Sequence, residues 1–179
     1  ATGAYTLTAT DTSHTSVTSA SASFTVTAAP PSKFAFTQTV SGNHTVGTTA
    51  SVGPFQVQVQ DQFGNVITNT GSPVTVLVSS SSSGSTFVTP TSGGASGAAV
   101  TIATGASSSP SFYYADTSSG TPTLTALATV NGASVSGTTS GFTMTPAAES
   151  QLAFTTQPPA SVVTGGTFSV GVTVEDQYG

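Results

Sequence analysis

The sequence predicts an all-β chain of tandem antiparallel β-sandwiches, and three observations carry that reading. Apolar and polar residues alternate with the period of a half-buried strand in many short segments, most clearly in Gln56-Val57-Gln58-Val59-Gln60. Gly, Pro, Ser and Asn separate these segments about every 8 to 12 residues, the spacing of a two-sheet sandwich, and no helical periodicity of useful length interrupts them. The chain also resembles itself. Lys33-Phe34-Ala35-Phe36-Thr37 is matched by Gln151-Leu152-Ala153-Phe154-Thr155, and Phe24-Thr25-Val26-Thr27 by Phe142-Thr143-Met144-Thr145, both at an offset of 118. Tyr5 to Ala9 matches Pro122 to Ala126 at 117, and Asp61 matches Asp176 at 115.

A fixed offset marks structural repeats. Residues 1–29 read as the closing strands of one repeat, 30–147 as a complete repeat of about 118 residues, and 148–179 as the opening strands of a third. Two strands alone cannot bury an apolar face or satisfy their edges. The chain is therefore expected to be a window on a longer tandem array. Phe168, Val170, Val172 and Val174 are expected to be covered by continuing chain or by another copy in a filament or sheath.

In order along the chain, residues 4–10 and 22–27 read as closing strands with Leu7, Phe24 and Val26 on the core side. A stiff Pro30-Pro31 link follows. Phe34 and Phe36 share one face of the next strand, and Phe55, Val57 and Val59 point inward after a Gly-containing loop. Asp61-Gln62-Phe63-Gly64-Asn65 then has the chemistry of a tight turn, since Asp bonds backbone two residues on and Gly takes positive φ. A second strand through Val66 and Ile67 should return from it. Val74, Val76 and Val78 alternate in the next strand, and the Ser79–Ser83 run reads as a flexible connection. The remaining strands are expected at 86–89, 98–104, 111–115, 123–130 and 141–145.

Composition narrows the function classes. Only 4% of residues are charged while 36% are hydrophobic, against roughly 25% charged in an average domain, so uncharged polar groups must form the surface. The 36 Thr and 29 Ser supply it. One Lys, no Arg and a net charge of −5 leave no basic patch for nucleic acid or an anionic membrane surface. No apolar run approaches the roughly 18 residues of a membrane-spanning helix. Zero Cys removes disulfides and thiol chemistry.

Val57-x-Val59-x-Asp61-x-x-Gly64-Asn65-x-Ile67, the Thr-Leu-Thr-Ala stretch at 123–126 and Phe142-Thr143-Met144-Thr145 together resemble the bacterial immunoglobulin-like repeats of large surface proteins, those of the invasin and intimin kind among them. The resemblance implies an immunoglobulin-like sandwich in each repeat, an extracellular or cell-surface location, and a role as spacer.

Candidate sites are few. Asp61, Asn65 and Asp116, with Asp176 in the next copy, form the one oxygen-rich set, but a Ca²⁺ ion takes six to eight oxygen ligands. The hairpin-turn role is the preferred reading of Asp61 and Asn65. Glu149 near the second link could join an interdomain cation site, though Pro31 replaces it in the first link. Phe112 and Tyr114 read as core, and Tyr113 either covers a loop or stacks on a sugar. Asn43-His44-Thr45 fits the N-glycosylation pattern in a loop. His14 reads as a solvated side chain, and no Ser, His and acid arrangement can be drawn around His44.

The expectation is a non-enzymatic, cofactor-free structural repeat region: a stalk, an adhesin shaft or a filament subunit. Its partners would be its own copies, with other surface proteins or glycans as further candidates. The alternative is a carbohydrate-binding adhesive module working through Tyr113.

Overall fold

Alternation decides which side chains enclose the core, and the strands follow from it. The computed structural model describes residues 2–37, 40–89, 93–95 (backbone alone), 97–139 and 141–179. Among the described residues the regular structure is all strand. In chain order these are β1 (Gly3–Ala9), β2 (Ala20–Val26), β3 (Lys33–Phe36), β4 (Asn43–Thr45), β5 (Val52–Phe55), β6 (Val57–Gln60), β7 (Val74–Ser80) and β8 (Ser85–Val88). There follow β9 (Gly93–Ala95), β10 (Gly97–Ile102), β11 (Phe112–Asp116), β12 (Leu124–Val130), β13 (Ala133–Thr138), β14 (Thr143–Thr145), β15 (Gln151–Thr156) and β16 (Gly171–Glu175).

A six-stranded sheet in the order β10-β7-β12-β13-β3-β6 and a four-stranded sheet in the order β5-β11-β8-β9 make the central domain. Val76, Val78, Val100, Ile102 and Leu124 of the first sheet share one buried cluster with Phe55, Phe87, Phe112 and Tyr114 of the second. Phe55 stacks on Phe112 at 5.6 Å, and Phe36 meets both rings edge-on at 6.4 Å. Each such side chain contributes about 1.5–3 kcal/mol when fully buried. The cluster is drawn wholly from residues between Phe34 and Met144. On the outer face the pattern inverts, and Thr75, Leu77 and Thr101 are exposed.

The chain changes sheets between β5 and β6. Phe55 pairs with Phe112 of the four-stranded sheet, and Val57 pairs with Phe36 of the six-stranded one. On the other flank of β3, β13 lies parallel to it, with Ser136 opposite Lys33. Gly137 makes that approach possible, because a Cβ there would overlap the Phe34 carbonyl.

The flanking hairpins copy pairings of the central domain. Gln151↔Glu175 to Phe154↔Val172 in β15–β16 reproduces Lys33↔Gln60 to Phe36↔Val57 in β3–β6, residue for residue at the sequence offsets 118 and 115. Gly3↔Val26 in β1–β2 likewise corresponds to the bridge Gly120↔Met144. In the flanks, however, the apolar positions are open: Leu7 is 69% and Leu152 72% exposed.

Four expectations need correction. The return through Val66 and Ile67 is a single bridge, Gln60↔Val66, and not a strand. After one more bond from Ile67 N–H to the Val59 carbonyl, the chain is drawn away at Asn69, whose side-chain amide donates to the Ser72, Ile102 and Ala103 carbonyls. The Ser79–Ser83 run is tied down by hydrogen bonds where a loose connection was expected: β7 extends through Ser80, Ser81 N–H bonds the Thr123 carbonyl, and Ser80 Oγ meets the buried Tyr114 hydroxyl at 2.9 Å. Asn43-His44-Thr45 is strand β4, parallel to β14, where a loop was expected. Strand β13 was not expected at all, although Asn131-Gly132 with φ of 51° and 82° is the two-residue turn that joins it to β12.

Candidate functional site

The Asp61 turn is the part of the surface with the most organised chemistry. Val57 and Val59 anchor β6 in the core, so Asp61 emerges at a fixed point with its side chain fully covered. One carboxylate oxygen accepts the N–H groups of Phe63 at 2.9 Å and Asn65 at 2.8 Å. The other accepts the Asn65 side-chain amide at 2.8 Å and, from outside the turn, the Ala29 N–H at 3.0 Å. Gly64, at φ 86°, closes the turn by donating its N–H to the Asp61 carbonyl. Burial pushes the Asp61 carboxyl up, but the four N–H donors outweigh it and hold it at about 2.

Asp176, after β16, is held in a similar way. Its Oδ1 accepts Tyr178 N–H at 2.8 Å and Gly179 N–H at 3.2 Å, and its Oδ2 accepts Ala147 N–H at 2.8 Å. Those bonds from Tyr178 and Ala147 hold its carboxyl below the usual range against the opposing effect of burial. Ala29 and Ala147 stand 118 residues apart, in the links before β3 and β15. The turn was legible in the sequence, but its reach to the link was missed. The signal was the Ala that recurs at 29 and 147.

This arrangement does not suit a cation. The Asp61 oxygens are already engaged by N–H donors, and Asn65 presents its amide nitrogen to Asp61. Asp116 is not brought to it. It ends β11 at the opposite end of the sandwich, fully buried, accepting the Tyr114 hydroxyl and the Ser118 N–H, the latter at 2.9 Å. Burial first, and then the Asp116 acceptor, pushes the Tyr114 phenol well above its ordinary value. Glu149 is exposed in the second link. Among the described residues no group of three or more His, Cys, Asp or Glu could hold a metal ion.

No family model and no curated protein matches the chain. Geometry within the molecule is what bears on its function.

The other candidates are scattered. Asn43 is exposed on β4. Tyr113 is 39% exposed on the outer face of β11 opposite Val88, while Phe112 and Tyr114 are core. His14 lies on the surface with its ring nitrogen 3.0 Å from Asp11, a partner that sequence reasoning overlooked. His44 lies edge-on to Phe142, its Nε2 buried without a hydrogen-bond partner. A cavity of about 330 Å³ beside β3 is walled by Phe34, Phe36, Val40, Phe55 and Phe142, with Lys33 and Gln60 on its polar side. No described carboxylate or imidazole lines it.

Phe168, Val170, Val172 and Val174 are 48–59% exposed in the single chain. Val172 and Val174 lie on β16, and Phe168 and Val170 precede it. Their counterparts at the offset of 115 include Phe55, Val57 and Val59, all fully buried in the central domain. No described helix is long and apolar enough to cross a membrane.

Proposed function

We propose that this chain is a non-enzymatic structural region of a long bacterial cell-surface or extracellular protein, in which tandem immunoglobulin-like sandwiches of about 118 residues form a stalk, shaft or filament subunit. One observation carries the reading: the pairing register of β3–β6 recurs in β15–β16, with the same Asp-to-link hydrogen bond at each junction. A repeat that reproduces both its strand pairing and its connection to its neighbour is suited to build length. The Ser- and Thr-rich, nearly uncharged surface supports an extracellular role and weakens the like-charge repulsion that keeps shafts apart. Copies can then associate laterally or end to end, with the open face of β15–β16 as the contact.

Small-angle scattering on the chain, and on versions lengthened by one and two further copies of residues 30–147, tests the spacer role. The expected result is a maximum dimension that grows by an equal increment per copy. Collapse to a compact particle would overturn it. The exposed Tyr113 beside Val88 favours, as a second reading, an adhesive module that binds carbohydrate on the outer face of β11.

A further inference from the structure

In both Asp turns the carboxylate accepts the N–H of the aromatic residue two positions on and the N–H of a link Ala, but the turns differ in what covers that aromatic residue. Tyr178 is partly buried and packs against the core of the central domain, as does Ala147 of the link. Beside it, Thr117, Ser119 and Pro146 face Val174, Glu175 and Asp176 across a shallow groove. The end of one sandwich is thus already seated on the turn of the next. Phe63, the counterpart of Tyr178, has no such cover and is 75% exposed. Yet Asp61 grips the Ala29 link as Asp176 grips Ala147.

We propose that the Asp61–Asn65 turn is a docking surface for the end of a preceding sandwich repeat, with Phe63 as its apolar knob. The occupant is an uncharged Ser/Thr loop and link of the kind that Thr117, Ser119 and Pro146 present to the second turn. Two attachments per junction, one polar at the Asp and one apolar at the aromatic, fix the angle between consecutive repeats where a link alone would let them swing. The Asp-Gln-aromatic-Gly turn is on this view the angle-setting element of the array. The inference rests on the tandem-repeat reading and adds to it a surface and a partner.

The chain contains no Trp, so one indole reports on one site. F63W and, as a reference, Y178W are placed in the full chain and in the chain with residues 30–117 joined ahead of residue 1, which completes a preceding repeat in register. In the unextended chain, acrylamide should quench F63W several-fold more strongly than Y178W. In the extended chain F63W should fall to the Y178W level, with its emission shifted to the blue. If the added segment contributes no strand signal in circular dichroism, the repeat reading fails and the inference falls with it. If the segment folds and F63W stays accessible, the docking surface is overturned while the repeats stand. Shielding of F63W in the unextended chain that grows with protein concentration would assign the surface to a second copy and overturn the proposal.

Discussion

The Asp61 carboxylate and the Ala29 amide, 32 residues apart, meet at 3.0 Å and tie the segment between β2 and β3 to a turn at the end of β6. A carboxylate that accepts several N–H bonds is favoured in its ionised form, so this tie is also a pH-dependent one.

Acid should loosen it. Asp61 is held at about 2 in the folded chain, below its ordinary 3.8. Its contribution to stability is therefore fully present above about pH 4 and is lost as the pH falls through about 2. Asp176 and Asp11, both shifted down, add in the same direction. Thermal melts between pH 5 and pH 2 should show a falling Tm, with a shallower fall in Asp61→Asn. Equal slopes for the two proteins would remove Asp61 from this role.

At the other end, Tyr114→Phe deletes the hydroxyl that Asp116 accepts and Ser80 contacts. A buried acceptor left without its donor costs about 1–3 kcal/mol, measurable by urea unfolding. The raised phenol makes a second statement. Stability from keeping Tyr114 protonated is present below its unfolded value near 10 and declines as the pH rises beyond it. Y114F should flatten that alkaline decline.

Gly137→Ala should be among the more damaging small substitutions. The added methyl meets the Phe34 backbone, and β3 must move off β13. Overpacking of this kind costs about 1–3 kcal/mol. Gly97→Ala, where the new Cβ would sit 3.5 Å from the Val78 carbonyl oxygen, should be close to neutral in the same denaturant titration.

Tyr113→Ala separates the spacer from the adhesive module. The side chain lies on the outer face, so the melt should shift little. A glycan array should be silent for both parent and variant. Saturable binding that disappears in Y113A would replace the spacer reading with the carbohydrate-binding one.

Where the chemistry is local, the sequence was informative. Alternation at 55–59, 74–78 and 112–114 placed Phe55, Val57, Val76 and Tyr114 inside, and all are fully buried. The Asp61–Gly64 turn was equally legible, because Asp bonding to nearby N–H groups and Gly at positive φ are properties of a few adjacent residues. Asn131-Gly132 carried the same kind of signal for β13 and was passed over.

The all-strand character, the inward residues of the central unit and the offset near 118 were all readable from the order of residues. That Ser80 partners a buried Tyr114, that Asn69 turns the chain away after Ile67 and that Asp61 reaches back to Ala29 emerged from the folded arrangement. Each of these joins groups about 30 residues apart. Alternation records which face a residue takes, but not which distant donor will stand opposite it once the sheets have closed.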